Sequence, residues 1–207
     1  MTNLSVRIFI GTALVCMVAT SYGQSPRIAP DAQSAKPLSV GAKAPEGVLL
    51  DLHGNKVTLS SLYRDKPVIL VFYRGSWCPF CTRHTQQLIK AYPQIKEQGY
   101  ELVGISPDAP EVSMQHVEEN AIPFPIYSDS DVDVISGFGL AFRVDDPTLQ
   151  RYKGMGIDLK KASGHSHNAL PVPAVYIIGT DGIVRFAHSD PDYRKRLEVE
   201  KILAAIR

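Results

Sequence analysis

Six apolar residues in a row, VILVFY at 68–73, rich in β-branched and aromatic side chains, predict a strand buried on both faces. A second such run, ELVGI at 101–105, predicts the next strand. Between them a helical pattern begins at Pro79 and continues to about Ala91. Proline is tolerated in a first helical turn, whereas Pro93 is expected to kink or end the helix. Strand, helix and strand within 68–105 make a βαβ unit, whose right-handed crossover lays the two strands parallel. Upstream, GVLLD, the turn LHGN and KVTL read as a hairpin, with His53, Gly54 and Asn55 supplying turn chemistry. Downstream the pattern gives a helix near 110–120, a short strand at 125–128 and a helix near 131–139. Residues 144–170 have weak periodicity and read as a long functional loop or an insertion. AVYII at 174–178, a turn at 179–182, IVRFAH at 183–188 and an amphipathic helix at 197–206 complete an α/β chain without internal repeats.

The first 23 residues read differently. Arg7 is the one charge before an uncharged stretch from Ile8 to Thr20, and small residues follow at Ser21 and Gly23. This is the layout of a secretory signal peptide, with cleavage expected before Gln24. The apolar core is too short for the roughly 20 residues that span a bilayer, so a stable membrane anchor is not expected. Val15 before Cys16 does not fit a lipoprotein signal, and Cys16 is expected to be discarded. Residues 24–42, rich in Pro, Ser and Ala, read as an extended leader that builds no core, and 43–207 as one domain. Export, to a periplasm-like compartment, follows. With 22 basic against 21 acidic residues and a formal charge of +1, no sustained positive field exists for a nucleic-acid partner.

Removing the signal leaves two cysteines, Cys78 and Cys81, in the segment Trp77-Cys78-Pro79-Phe80-Cys81, where a buried strand gives way to a helix. That is the setting in which C-x-x-C reads as a redox pair. A helix N-terminus favours the Cys78 thiolate, and one turn later Cys81 can attack a bond formed at Cys78 and release it. A purely stabilising disulfide explains little, because closing a four-residue loop gains only about 1.9 kcal/mol against ~4.7 for a hundred. A zinc site using Cys78, Cys81, His84 and His165 or His167 would make the chain a non-enzymatic metal-binding module, but no second C-x-x-C is present. Thr82 follows Cys81 where attached haem requires His. The reading therefore calls for no cofactor and no metal. Its partners are a thiol reductant or redox protein and a peroxide or disulfide substrate.

The array from Val40-Gly41-Ala42-Lys43-Ala44-Pro45 through VILVFYRGSWCPFC, PIYSDSD and LPVPAVYIIGTDGIVRFAH resembles the alkyl hydroperoxide reductase and thiol-specific antioxidant family over residues 37–207. The resemblance implies a thioredoxin-like fold, a central mixed β-sheet flanked by helices, here with an N-terminal β-hairpin extension. It implies a thiol-based antioxidant oxidoreductase that reduces peroxides, the alternative being a thiol:disulfide oxidoreductase acting on protein disulfides. It also implies a cis peptide bond before Pro173, facing the dithiol, with the Val172 backbone presented to substrate. Two positions depart from the peroxiredoxin pattern Pro-x-x-x-Thr-x-x-Cys: matching its cysteine to Cys81 puts Arg74 in the proline slot and Cys78 in the threonine slot. The arginine that peroxiredoxins bring before the later strand is absent from Pro171-Val172-Pro173, and Arg74 is placed to substitute for it. The peroxiredoxin register names Cys81 as the attacking sulfur and the thioredoxin register names Cys78; Cys78 is the expectation. Trp77 and Arg74, with Val172 and Pro173, are the expected substrate contacts.

Overall fold

The runs at 68–73 and 101–105 pair in parallel in the computed structural model, which describes residues 28–207, with Val68 opposite Glu101 and Phe72 opposite Ile105. The expected signal peptide and the fate of Cys16 lie outside the described residues. In chain order the first half comprises β1 (Val48–Leu50), β2 (Lys56–Thr58), α1 (Leu59–Tyr63), β3 (Val68–Phe72), α2 (Pro79–Glu97), β4 (Glu101–Ser106) and α3 (Pro110–Asn120). Then follow β5 (Ile126–Ser128), α4 (Asp133–Gly137), β6 (Ala141–Arg143), α5 (Asp146–Gly154), α6 (Leu159–Ser163), β7 (Ala169–Pro171), β8 (Ala174–Ile178), β9 (Val184–Ser189) and α7 (Val199–Ala205). The main sheet runs β2-β1-β5-β4-β3-β8-β9, and β6 and β7 form a separate antiparallel pair. The sheet is mixed: β3, β4 and β5 are parallel, while β8 and β9 join antiparallel and β1–β2 is the expected hairpin.

Strand β3 explains why its sequence is apolar without alternation. Val68, Leu70 and Phe72 enter one core, with Phe138 and Tyr176, whereas Ile69 and Val71 enter a second core under α2 and α7. On the first side the Phe72 ring lies 4.8 Å from Phe138 and 6.0 Å from Tyr176. On the second side Cys81, His84, Thr85, Leu88, Ala91 and Ile95 form the buried stripe of α2, at helical spacing.

That stripe corrects the expectation at Pro93. The helix continues to Glu97, because Pro93 faces solvent while Leu88, Ala91 and Ile95 on the opposite face stay packed. Burial of that face outweighs the missing backbone donor. The leader is also corrected. Residues from Ile28 are extended apart from one 3-10 turn at Ala32–Ser34, and Ile28, Ala32, Ala35 and Leu38 pack against the first core, while Ala29, Lys36 and Leu38 donate backbone hydrogen bonds to Ala141, Gly139 and Phe138. Segment 144–170 proves to be ordered: Asp145 caps α5 by accepting from Thr148 N, and Asp158 caps α6 by accepting from Lys161 N. Among the described residues no helix is long and apolar enough to cross a membrane.

Candidate active site

The dithiol sits where β3 hands over to α2. Tyr73 extends the strand by donating to Ile105 O, and the chain then turns through Arg74-Gly75-Ser76-Trp77. Gly75 has φ +146°, and a Cβ there would lie 2.4 Å from Trp77 Nε1 and 2.8 Å from Asp108 Oδ1. Only glycine fits that approach. The buried carboxylate of Asp108 holds the turn by accepting from Ser76 N at 2.6 Å, and burial pushes its pKa up to about 6. Cys78 is the N-cap of α2, and its carbonyl accepts from Cys81 N at 2.9 Å and Thr82 N at 3.1 Å.

Cys78 and Cys81 lie 3.1 Å apart as free thiols, 1% and 2% exposed. Their environments push them apart. The Cys81 thiol donating to Cys78, with the positive charge of Arg74 next in importance, pulls Cys78 below the ordinary thiol range to about 6 despite burial. Burial and the neighbouring Cys78 sulfur push Cys81 up. Cys78 is thus the thiolate and Cys81 the proton donor of the reduced pair.

Arg74 is itself buried, with Nη1 3.9 Å from Cys78 Sγ and Nη2 donating to Tyr152 OH. Its guanidinium stacks 4.0 Å from the Tyr193 ring centre and 5.0 Å from Trp77. Arg74 Nε is buried and finds no acceptor within the protein. Trp77 packs on Tyr152 at 5.4 Å, so α5 covers the site. A cavity of about 630 Å³, lined by Arg74, Tyr152, Pro173, Tyr193, Arg143 and Met155, reaches Arg74, but neither sulfur lines it.

Of the residues expected from sequence, Arg74, Trp77, Cys78 and Cys81 come together here, and Pro173 shares the cavity with Arg74. Val172 and Pro173 need correction. No peptide bond among the described residues is cis. Strand β7 runs through Val172 into β8 without reversing, with Val172 N donating to Leu140 O at 2.9 Å and Pro173 O accepting from Asp190 N. The Val172 N–H is therefore already engaged and is not free for an extended substrate. The alternative zinc set does not assemble: no group of three or more His, Cys, Asp or Glu gathers to hold a metal among the described residues. His84 Nε2 meets Leu197 O at 3.1 Å, and His167 uses both ring nitrogens on Ser130 O and Ala169 N. Sequence reading missed Tyr152, Tyr193, Asp108 and Arg196, whose Nη2 lies 3.4 Å from Cys81 Sγ. No local spacing announces them, since they reach the dithiol from distant parts of the chain.

A strand-to-helix C-x-x-C pair on a mixed sheet of this order defines a protein of thioredoxin fold with a dithiol centre. Solved structures agree on the fold. Peroxidoxin BcpB of Mycobacterium tuberculosis superposes with TM-score 0.63 at 23% identity, over 82% of this chain and 96% of that one. Reduced Prx3 of Vibrio vulnificus, solved with hydrogen peroxide, gives 0.67 at 20% identity, over 82% and 99%. The chain belongs to the AhpC/TSA family, whose model matches residues 40–187. Among curated relatives, the thiol-disulfide oxidoreductase ResA of Halalkalibacterium halodurans is 36% identical over 101 residues, 48% of this chain and 56% of that protein. A Haemophilus influenzae protein, named provisionally as the peroxiredoxin bcp, is 36% identical over 104 residues, 50% of this chain and 66% of that protein. The chain thus spans little more than half the length of the first of these relatives.

Proposed function

We propose that this protein is a thiol-dependent peroxide reductase in which Cys78 attacks and Cys81 resolves. The observation that carries the reading is a buried reduced pair with a low-pKa sulfur beside the guanidinium of Arg74. The Cys78 thiolate attacks one peroxide oxygen, forming the S–O bond of a sulfenic acid as the O–O bond breaks, and the other oxygen leaves and takes a proton to become an alcohol or water. Arg74 is suited to hold the peroxide through its unsatisfied Nε–H and to offset charge as the O–O bond breaks. Cys81 then attacks the sulfenic sulfur, a disulfide forms and water leaves. An external dithiol restores the pair by two exchange steps, becoming a disulfide itself.

Two sulfurs this enclosed favour a small oxidant over a folded protein's disulfide. Kinship with ResA proteins supports the second reading, exchange with protein disulfides, which would require α5 to move from Trp77. The two are separated by mixing reduced protein with hydrogen peroxide and following Trp77, the one tryptophan, in wild type, Cys78→Ser and Cys81→Ser. Wild type is expected to outpace free cysteine, with a sulfenic acid trapped at Cys78 in Cys81→Ser. A rate no faster than free cysteine, with ready exchange on a disulfide substrate, refutes peroxide reduction. The dithiol is further proposed to work after export, and a mature protein beginning at Gln24 is the expected result of N-terminal sequencing.

A further inference from the structure

Arg74 attends one sulfur, and a second arginine attends the other. The segment between β9 and α7 passes the N-terminal end of α2, where His84, one turn beyond Cys81 on the same buried stripe, meets the carbonyl of Leu197 at 3.1 Å. Burial and the nearby charge of Arg196 hold the His84 pKa down to about 4, so the ring is neutral and its Nε2–H is the donor to that carbonyl. This bond fixes the chain beside Arg196. The guanidinium of Arg196 is steadied by the carbonyls of Tyr193 and Lys195 and reaches Cys81 Sγ at 3.4 Å. Among the described residues no carboxylate forms an ion pair with it. The positive charge is therefore directed at the sulfur and not neutralised by an acid.

We propose that Arg196 is a catalytic residue of the resolving step, stabilising the Cys81 thiolate as it attacks the bond at Cys78, with His84 positioning it. The assignment rests on the proposed cycle of Cys78 and Cys81 but not on which oxidant starts it. Cys81 is the sulfur that needs such help, because it is enclosed by apolar neighbours and must give up its proton to attack, that proton ending on the group that leaves Cys78, as water from a sulfenic acid or as the thiol of a mixed disulfide. Once Cys78 is bonded to an oxidant it is no longer an anion, so Cys81 ionises against Arg196 instead of against a like charge. The sequence then places the cation where negative charge appears only in the second half of the reaction.

The test uses one equivalent of dithiodipyridine, a neutral disulfide whose leaving thione is coloured, with the full reduced protein. In the first phase the Cys78 thiolate forms a mixed disulfide and releases one thione. In the second the Cys81 thiolate displaces the other thione and closes Cys78–Cys81, so that the protein is oxidised by two electrons and the reagent reduced by two. A charge at this range moves a thiol pKa by about 1 to 3, and the nucleophilicity gained at higher pKa returns about half of that. Arg196→Met should therefore slow the second phase relative to the first by roughly 3- to 30-fold. Arg196→Lys, which keeps the charge, should recover most of the loss. A ratio of phases altered by less than about threefold in Arg196→Met, a loss confined to the first phase, or equal losses in the Met and Lys variants would each overturn the assignment. Failure of wild type to react with peroxide would instead strike the proposed function, while the two thione phases continue to report on Arg196.

Discussion

Replacing Arg74 by Met removes the cation beside Cys78 but keeps an apolar side chain of similar reach among Trp77, Tyr152 and Tyr193. At 3.9 Å, two unit charges attract by about 4 kcal/mol at an effective dielectric of 20. That figure is an upper bound, because the Cys81 thiol, the largest influence lowering the Cys78 pKa, remains, and so does Arg196. A nearby opposite charge is ordinarily worth 1 to 3 in pKa, about 1.4 to 4 kcal/mol. The Cys78 midpoint should accordingly rise from about 6 to roughly 7–9. At pH 7 its thiolate fraction would fall from about nine-tenths to between about one-half and about one-hundredth. The assay is the pH dependence of Cys78 alkylation by iodoacetamide, read by peptide mass mapping of reduced protein so that Cys81 is scored separately. Arg74→Lys should lie between wild type and Met. A midpoint in Arg74→Met within half a pH unit of wild type would show that the guanidinium does not set the Cys78 charge. The role given to Arg74 would fall with it.

Asp108 gives a pH signature of its own. Folding raises its pKa from 3.8 to about 6, so its contribution to stability is fully present below pH 4 and is lost as pH rises through 6, a change on the order of 3 kcal/mol. Asp108→Asn can still accept from Ser76 N, and urea unfolding of the reduced protein should show a shallower loss between pH 4 and 7 than wild type. Equal slopes would refute this. Gly139 has φ +69°, and a Cβ there would stand 1.9 Å from Lys36 O. Gly139→Ala is expected to lift the segment from Ile28 to Leu38 off the first core and to speed limited proteolysis within it. Unchanged cleavage would mean that the contact is not what holds that segment.

The strands and the dithiol were legible because their signals are local. An unbroken apolar run fixed β3, the run at 101–105 fixed its parallel partner, and C-x-x-C after a buried strand placed Cys78 at the start of a helix. Pro93 misled because a local breaker was weighed without knowing that Leu88 and Ile95 would be clamped from below. Segment 144–170 was opaque because its two helices are short, and α5 buries none of its residues, so no amphipathic stripe marks it. The cap aspartates Asp145 and Asp158 were the signals available there. The second arginine could not be read at all. Arg196 reaches its sulfur across 115 residues, and Tyr152 reaches Arg74 across 78, distances over which only the folded chain makes neighbours.

Pro30, Asp31, Ala32 and Gln33 form part of the wall of the cavity that reaches Arg74. The segment leading into the domain thus borders the cavity beside the arginine that the proposed cycle relies on. Anything bulky grafted near Pro30 or Asp31, whether an affinity tag or a surface tether, would crowd the mouth of that cavity. A dye attached there would serve as a sentry, brightening or dimming as visitors pass.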